Sequence, residues 1–132
     1  MNNSFDHLVE ILASDYGVQG FPEKRYEHEI YCFEFGGGIS IKIYQDEFCW
    51  VYFLVDIGRL VEAHADALMG MLHINGFSFR RPFFTLGLNG EKTVELHACI
   101  PSLEVDSAHR LREVFEGLLG MASEIKEAFN FE

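Results

Sequence analysis

Apolar residues recur along this chain with two different periods, and the points where the period changes lay out the elements. Phe5, Leu8, Val9 and Leu12 fall at helical spacing behind Ser4, a residue suited to an N-cap, and Gly17 can end that helix. Residues 18–29 are polar, contain Gly20 and Pro22, and read as a loop. Three strands follow. Ile30 to Phe35 is rich in aromatics, Gly36-Gly37-Gly38 makes a turn, and Ile39 to Tyr44 alternates with period two. Gln45-Asp46-Glu47 is a second turn. Phe48 to Ile57 is apolar on both parities, which predicts a strand covered on both faces. A helix from about Arg59 to Asn75 ends at Asn75-Gly76. Phe83 to Leu88 is a fourth strand, Asn89-Gly90 a hairpin signal, and Thr93 to Ile100 a fifth strand stopped by Pro101. Asp106 or Ser107 caps a last helix reaching Phe129. The order α-βββ-α-ββ-α predicts an α+β fold, an antiparallel sheet packed by helices.

The last helix carries Leu111, Val114, Phe115, Leu118, Leu119, Ala122, Ile125 and Phe129 on one stripe, with Glu113, Glu116, Glu124 and Glu127 opposite. That is the ordinary pattern of a helix lying on a sheet. The middle helix differs. Leu60, Val61, Ala63, Ala65, Ala67, Leu68, Met71, Leu72 and Ile74 fill an arc of roughly 200°, about twice what one supporting surface requires. Glu62, Asp66 and His73 mark a narrow polar edge. The surplus predicts a second apolar surface, read as another subunit; the alternative is a helix buried centrally within one chain. Met69 and Met71 suit either arrangement.

Composition narrows the class. At 132 residues, 48% apolar and 14% aromatic, the chain is expected to form one domain over residues 1–132 with a substantial core. Ten Lys and Arg against twenty-one Asp and Glu give a net charge of −11, which disfavours nucleic acid and anionic membrane and favours a neutral or basic protein partner. No signal-peptide pattern opens the sequence, and the longest apolar run, Val51 to Val55, is too short to span a bilayer. Cys32, Cys49 and Cys99 form no CxxC pair, which points to a reducing cytoplasm. With thirteen Phe, five Tyr and one Trp, some aromatics of the three-strand meander are expected to stay exposed as a docking surface. A sheet edge or helix–sheet groove could there accept an extended peptide by strand addition.

Catalytic motifs are missing. The sequence holds no G-x-S-x-G elbow, no P-loop and no H-E-x-x-H, and Gly36-Gly37-Gly38 lies between strands. His97 and Cys99 alternate on one strand and could be two metal ligands, with His28 and Cys32 as an imaginable second pair. Cys32 lies in an apolar strand, where a free thiol behaves as a small hydrophobe. Asp46-Glu47 reads as a solvated turn pair. Arg80-Arg81 reads as a solvated loop, or as a contact with carboxylates of a partner.

The element order, acidity, small size and wide-arc middle helix resemble the class I chaperones of bacterial type III secretion. The second half is similar in wording as well: Phe83-Phe84-Thr85-Leu86-Gly87-Leu88-Asn89-Gly90, then Thr93-Val94-Glu95-Leu96, Ile100-Pro101, Leu103, Asp106, and a helix with Leu111, Phe115 and Leu118. The first helix with Phe5, Leu8 and Leu12, followed by a meander, is similar too. The chain departs from the family in its triple-glycine turn and aromatic load. The resemblance implies a cytoplasmic, non-enzymatic homodimer without cofactor. Such a protein binds the N-terminal segment of a secreted effector, keeps it extended, and needs no ATP. It further implies a dimer interface on the middle helix and the next strand, at Leu68, Met71, Leu72 and Phe84, and effector contacts on the first helix and meander at Phe5, Leu8, Ile41, Phe48, Trp50 and Tyr52. Two rivals are another α+β interaction adaptor and a small enzyme or metal protein built on His97 and Cys99.

Overall fold

The computed structural model describes residues 4–16, 30–35, 38–59, 65–76 and 84–129. Helix α1 (Ser4–Asp15) leads into strands β1 (Tyr31–Glu34), β2 (Ser40–Gln45) and β3 (Trp50–Arg59). Helix α2 (Ala65–Ile74), strands β4 (Thr85–Leu88) and β5 (Thr93–Pro101), a 3-10 turn (Ser102–Val105) and helix α3 (Ala108–Phe129) complete the order, which is the predicted α-βββ-α-ββ-α. The five strands form one antiparallel sheet, β1-β2-β3-β5-β4.

Helices α1 and α3 lie on one face of this sheet. Phe5, Val9, Leu12 and Ala13 from α1, and Leu111, Phe115, Leu118, Ala122 and Ile125 from α3, meet the inward residues of the strands. Those are Tyr31 and Phe33, Ile41 and Ile43, Val51, Phe53, Val55 and Ile57, and Val94, Leu96, Ala98 and Ile100. Burial of this apolar area is the main term holding the fold together. The rings of Tyr16, Phe33 and Phe35 stand 5.2, 5.0 and 5.9 Å from the ring of Phe115, joining α1, β1 and α3. Polar ties supplement them. Buried Asp6 accepts the Tyr31 hydroxyl at 2.7 Å, and Asp15 pairs with Arg112 at 3.1 Å.

Several boundaries differ from expectation for physical reasons. Arg59, expected to open the middle helix, ends β3 instead, because pairing continues through Gly58 with Val94 and Arg59 with Thr93. A bulge at Asp56/Gly58 displaces Ile57 from the ladder, and the Lys126 ammonium donates to its carbonyl at 3.1 Å. Gly38, at φ +80°, sits beneath the same lysine: a Cβ there would come 3.3 Å from Nζ. Pro101 is the last residue of β5, opposite Trp50, rather than a stop before it. Ser107 is the cap of α3, its hydroxyl accepting from Arg110 N at 3.2 Å. The loop 18–29, Gly36, Gly37, the start of the predicted middle helix at 60–64, and Arg80-Arg81 lie outside the described residues.

The largest correction concerns the opposite face of the sheet. Its central strand β3 was expected to be covered on both sides, yet among the described residues no helix packs on the side carrying Trp50 and Tyr52, which are 41% and 40% exposed. Cys32 also faces this side and is exposed, not a core residue.

Candidate docking surfaces

Register makes the open face a graded surface. One row runs Tyr44, Tyr52, Cys99; the next runs Cys32, Lys42, Leu54, His97, Thr85; a third runs Glu34, Ser40, Asp56, Glu95, Gly87. The end nearest the β2–β3 turn is therefore aromatic and the far end polar. Tyr44 and Tyr52 stack across strands with ring centroids 5.9 Å apart. Between Tyr52, Leu54, Thr85, His97 and Cys99 lies a shallow depression of about 410 Å³.

The turn that bounds the aromatic end is held by one carboxylate. Phe48 N and Trp50 N both donate to Asp46 Oδ1 at 2.9 Å, and the Tyr52 hydroxyl donates to Oδ2 at 2.9 Å. Cys49 takes φ +64° to close the loop. Asn89 does the same work in the β4–β5 hairpin, accepting from Glu91 N and Thr93 N at 2.8 and 3.0 Å, with Lys92 at φ +65°. Glycine at position 90 is thus not the residue in the left-handed region. Phe48, 75% exposed, is displayed on a turn in which the amides of Phe48, Cys49 and Trp50 all bond to Asp46.

The hydrogen bond to Asp46 pushes the Tyr52 phenol up to about 12. Burial, then the bond to Glu116, pushes Tyr16 up to about 12 as well. Both folded values exceed the ordinary phenol value of 10.0, so their stabilising contribution is complete below about pH 10 and is lost as pH rises toward about 12. Replacing Asp46 by Asn keeps an acceptor for the turn amides, as Asn89 shows, but removes the charge facing Tyr52. In Asp46→Asn, tyrosinate absorbance should show one phenol titrating earlier than in the wild type while the fold persists. An unmoved titration curve would mean that Asp46 does not control Tyr52.

A second concavity, about 200 Å³, lies between α1 and the 3-10 turn, lined by Phe5, Leu8, Gln45, Ser102, Leu103, Val105 and Asp106. Gln45 Nε2 donates to Ser102 Oγ at 2.9 Å on its wall. Leu103 stands at its lip, 80% exposed.

The third apolar surface is α2. Met71 is buried and Leu68 half-buried, whereas Met69 and Leu72 are 68% and 70% exposed. Asn75 anchors the end of this helix on β4, accepting from Leu86 N at 2.6 Å and donating to Leu86 O at 2.9 Å.

The residues singled out as contacts divide accordingly. Phe48, Trp50 and Tyr52 lie together on the outward parity, and half-buried Leu8 lines the α1 concavity. Ile41 and Phe5 do not belong with them as free docking side chains. Ile41 points into the helix-covered face and is fully buried, and Phe5 is packed edge-on to Tyr31 at 6.5 Å. Met71 and Phe84 are likewise buried within the single chain, leaving Leu72 and part of Leu68 accessible. Leu103 and Asp46 escaped sequence reasoning as parts of the surface. An aspartate two residues before an amide in a hairpin turn is the signal that would have found Asp46.

His97 and Cys99 are exposed on the open face, and no group of three or more His, Cys, Asp or Glu converges there or elsewhere among the described residues. Although Cys32 is exposed, partial desolvation by its strand neighbours is the largest of the effects that raise its thiol above the ordinary value, which disfavours a reactive thiolate. No helix among the described residues is long and apolar enough to cross a membrane.

No family profile and no curated protein matches the chain. Solved structures do. The Yersinia pestis type III secretion chaperone SycH, in complex with a fragment of YscM2, matches over 90% of this chain and 97% of its own, with 17% identity and a TM-score of 0.66. A chain of the ExsC–ExsE complex matches over 92% of both chains, with 14% identity and a TM-score of 0.75. The HopA1–SchA chaperone–effector complex matches over 94% of both, with 15% identity and a TM-score of 0.68. At these identities the likeness is one of fold, and it extends across nearly the whole chain.

Proposed function

We propose that this protein is a type III secretion chaperone. It acts in the bacterial cytoplasm as a homodimer, without enzymatic activity or cofactor. It binds the N-terminal region of a secreted effector and holds it in a non-globular, secretion-competent state without ATP. The observation that carries this reading is the fold likeness to a type III secretion chaperone with a bound protein fragment and to a chaperone–effector complex, over 90% or more of both chains in each case.

The surfaces agree with the task. An extended segment makes many shallow contacts rather than filling one deep pocket, and its ordering cost must be offset along its length. The aromatic end of the open face, the Asp46-bonded Phe48 turn and the α1 concavity supply such contacts at separate places. The net charge of −11 favours a basic or neutral segment over an acidic one. On this reading Leu8, Phe48, Trp50 and Tyr52 touch the effector, and the exposed side of α2 around Leu72 meets the second subunit.

Co-expression with N-terminal fragments of proteins encoded beside this one tests the proposal. One fragment should co-purify in fixed stoichiometry without added nucleotide, and the emission of Trp50, the one tryptophan of the chain, should shift on binding. Equal capture of unrelated unfolded fragments, or of none, would favour a general α+β adaptor instead.

A further inference from the structure

In an antiparallel sheet, every second residue of an outer strand turns its N–H and C=O away from the sheet. The bond from Asn89 N to Thr93 O at 3.1 Å sets the phase on β4: Gly87 and Thr85 bond across to Glu95 and His97, and the backbone N–H and C=O of Leu86 and Leu88 point away from β5 at the sheet edge. Such an edge invites a further strand. Thr85-Leu86-Gly87-Leu88 carries neither charge nor proline to discourage one, and Leu88 is exposed.

Both outward groups of Leu86 are nevertheless taken, and by one side chain. Asn75 Oδ1 accepts from Leu86 N at 2.6 Å while Asn75 Nδ2 donates to Leu86 O at 2.9 Å. A primary amide held this way presents the same donor and acceptor pair that a residue of a sixth strand would present. We propose that Asn75 is an edge cap: it fills the Leu86 rung of β4 in place of a neighbouring strand and closes this side of the sheet to strand addition.

The opposite edge makes the contrast. Phe35 N donates to Ile39 O at 2.9 Å, which turns Cys32 and Glu34 of β1 outward, and no strand among the described residues pairs with them there. The sheet is thus asymmetric toward extended partners. A second copy of the chain approaching α2 meets side chains rather than an open ladder at Leu86. This inference stands independently of the chaperone reading, since it concerns which edge is closed and not what is bound.

Amide exchange and sedimentation on the full chain test it. In the wild type, Leu86 N–H should exchange slowly and Leu88 N–H quickly, although they share a strand; a Leu86 exchanging as freely as Leu88 would overturn the cap. In Asn75→Ala, Leu86 should exchange about tenfold faster, as expected for loss of two hydrogen bonds. Species larger than the wild type's should then form, increasing with concentration. Adding Leu88→Lys should remove those species while leaving Leu86 fast in dilute solution, because a charge on the adjacent rung blocks pairing. A residue that merely tethers α2 to β4 gives faster exchange without new species, and that result would overturn the proposal. Should Asn75→Ala fail to fold, Asn75→Ser, too short to reach both groups of Leu86, is read in the same way, and a wild-type Leu86 exchanging as fast as Leu88 still overturns the proposal.

Discussion

Truncating Phe115 to alanine should lower stability by about 3–5 kcal/mol and the melting temperature by roughly 10–20 °C. Phe115 is fully buried on α3, and its ring is surrounded by those of Phe33, Tyr16 and Phe35 at 5.0, 5.2 and 5.9 Å. These three partners come from β1, the end of α1 and the residue after β1, so one truncation loosens a junction of three segments. The lost transfer energy is compounded by the cavity, since neighbours held by their own packing collapse only partly. The edge-to-face contact with Phe33 adds roughly 0.5–1.5 kcal/mol beyond area. Phe48→Ala is the control: the same atoms are deleted from a side chain 75% exposed, and the change should stay within about 0.5 kcal/mol. Chemical denaturation of both variants checks the pair. A Phe115→Ala loss below about 1 kcal/mol would mean that the aromatic junction does not hold α1 and α3 on the sheet.

How far the sequence could be read depended on whether the pattern of each element was one-sided. On β5, Val94, Leu96, Ala98 and Ile100 alternate with Thr93, Glu95, His97 and Cys99, and the burial follows that alternation without exception. On α3 the apolar stripe is the buried stripe, with Leu111, Phe115, Leu118, Ala122 and Ile125 all in the core. On β3 the two parities are equally apolar, and only the placement of α1 and α3 decides that Val51, Phe53, Val55 and Ile57 go inside. Ile41 carried no such ambiguity: Ile39, Ile41 and Ile43 alternate on β2 with Ser40, Lys42 and Tyr44, so its place on the buried parity was legible, and setting it beside Phe48, Trp50 and Tyr52 mixed two faces of the sheet. Arg59 was misassigned because its pairing partner, Thr93, lies far along the chain, and a local period carries no trace of it. Asn75 was legible as a helix end but not as a partner of Leu86, since a side chain's reach across to another element is a tertiary fact.

In Leu72→Glu, the single chain should remain folded while the proposed dimer dissociates. The wide apolar arc of α2 left two outcomes open for this substitution, unfolding or dissociation, and the burial of individual residues separates them. Leu72 is 70% exposed in the single chain, so a carboxylate there stays solvated and costs the fold little. In an interface the same carboxylate would be desolvated without a partner, at about 3 kcal/mol or roughly a hundredfold in affinity. A two-fold interface presents the substituted residue from both sides, so the penalty is incurred twice. Met71→Glu provides the contrast, because Met71 is buried in the single chain and its substitution should unfold the protein regardless of partners. Sedimentation equilibrium at micromolar concentration, with circular dichroism on the same samples, reads both effects. The expected pattern is a wild-type dimer, a folded Leu72→Glu monomer and an unfolded Met71→Glu chain. A wild type that is monomeric, soluble and folded would remove the need for a second subunit, because the exposed flank of α2 would then tolerate water. A Leu72→Glu chain that stays dimeric would instead move the interface off this flank, toward the open face around Trp50 and Tyr52.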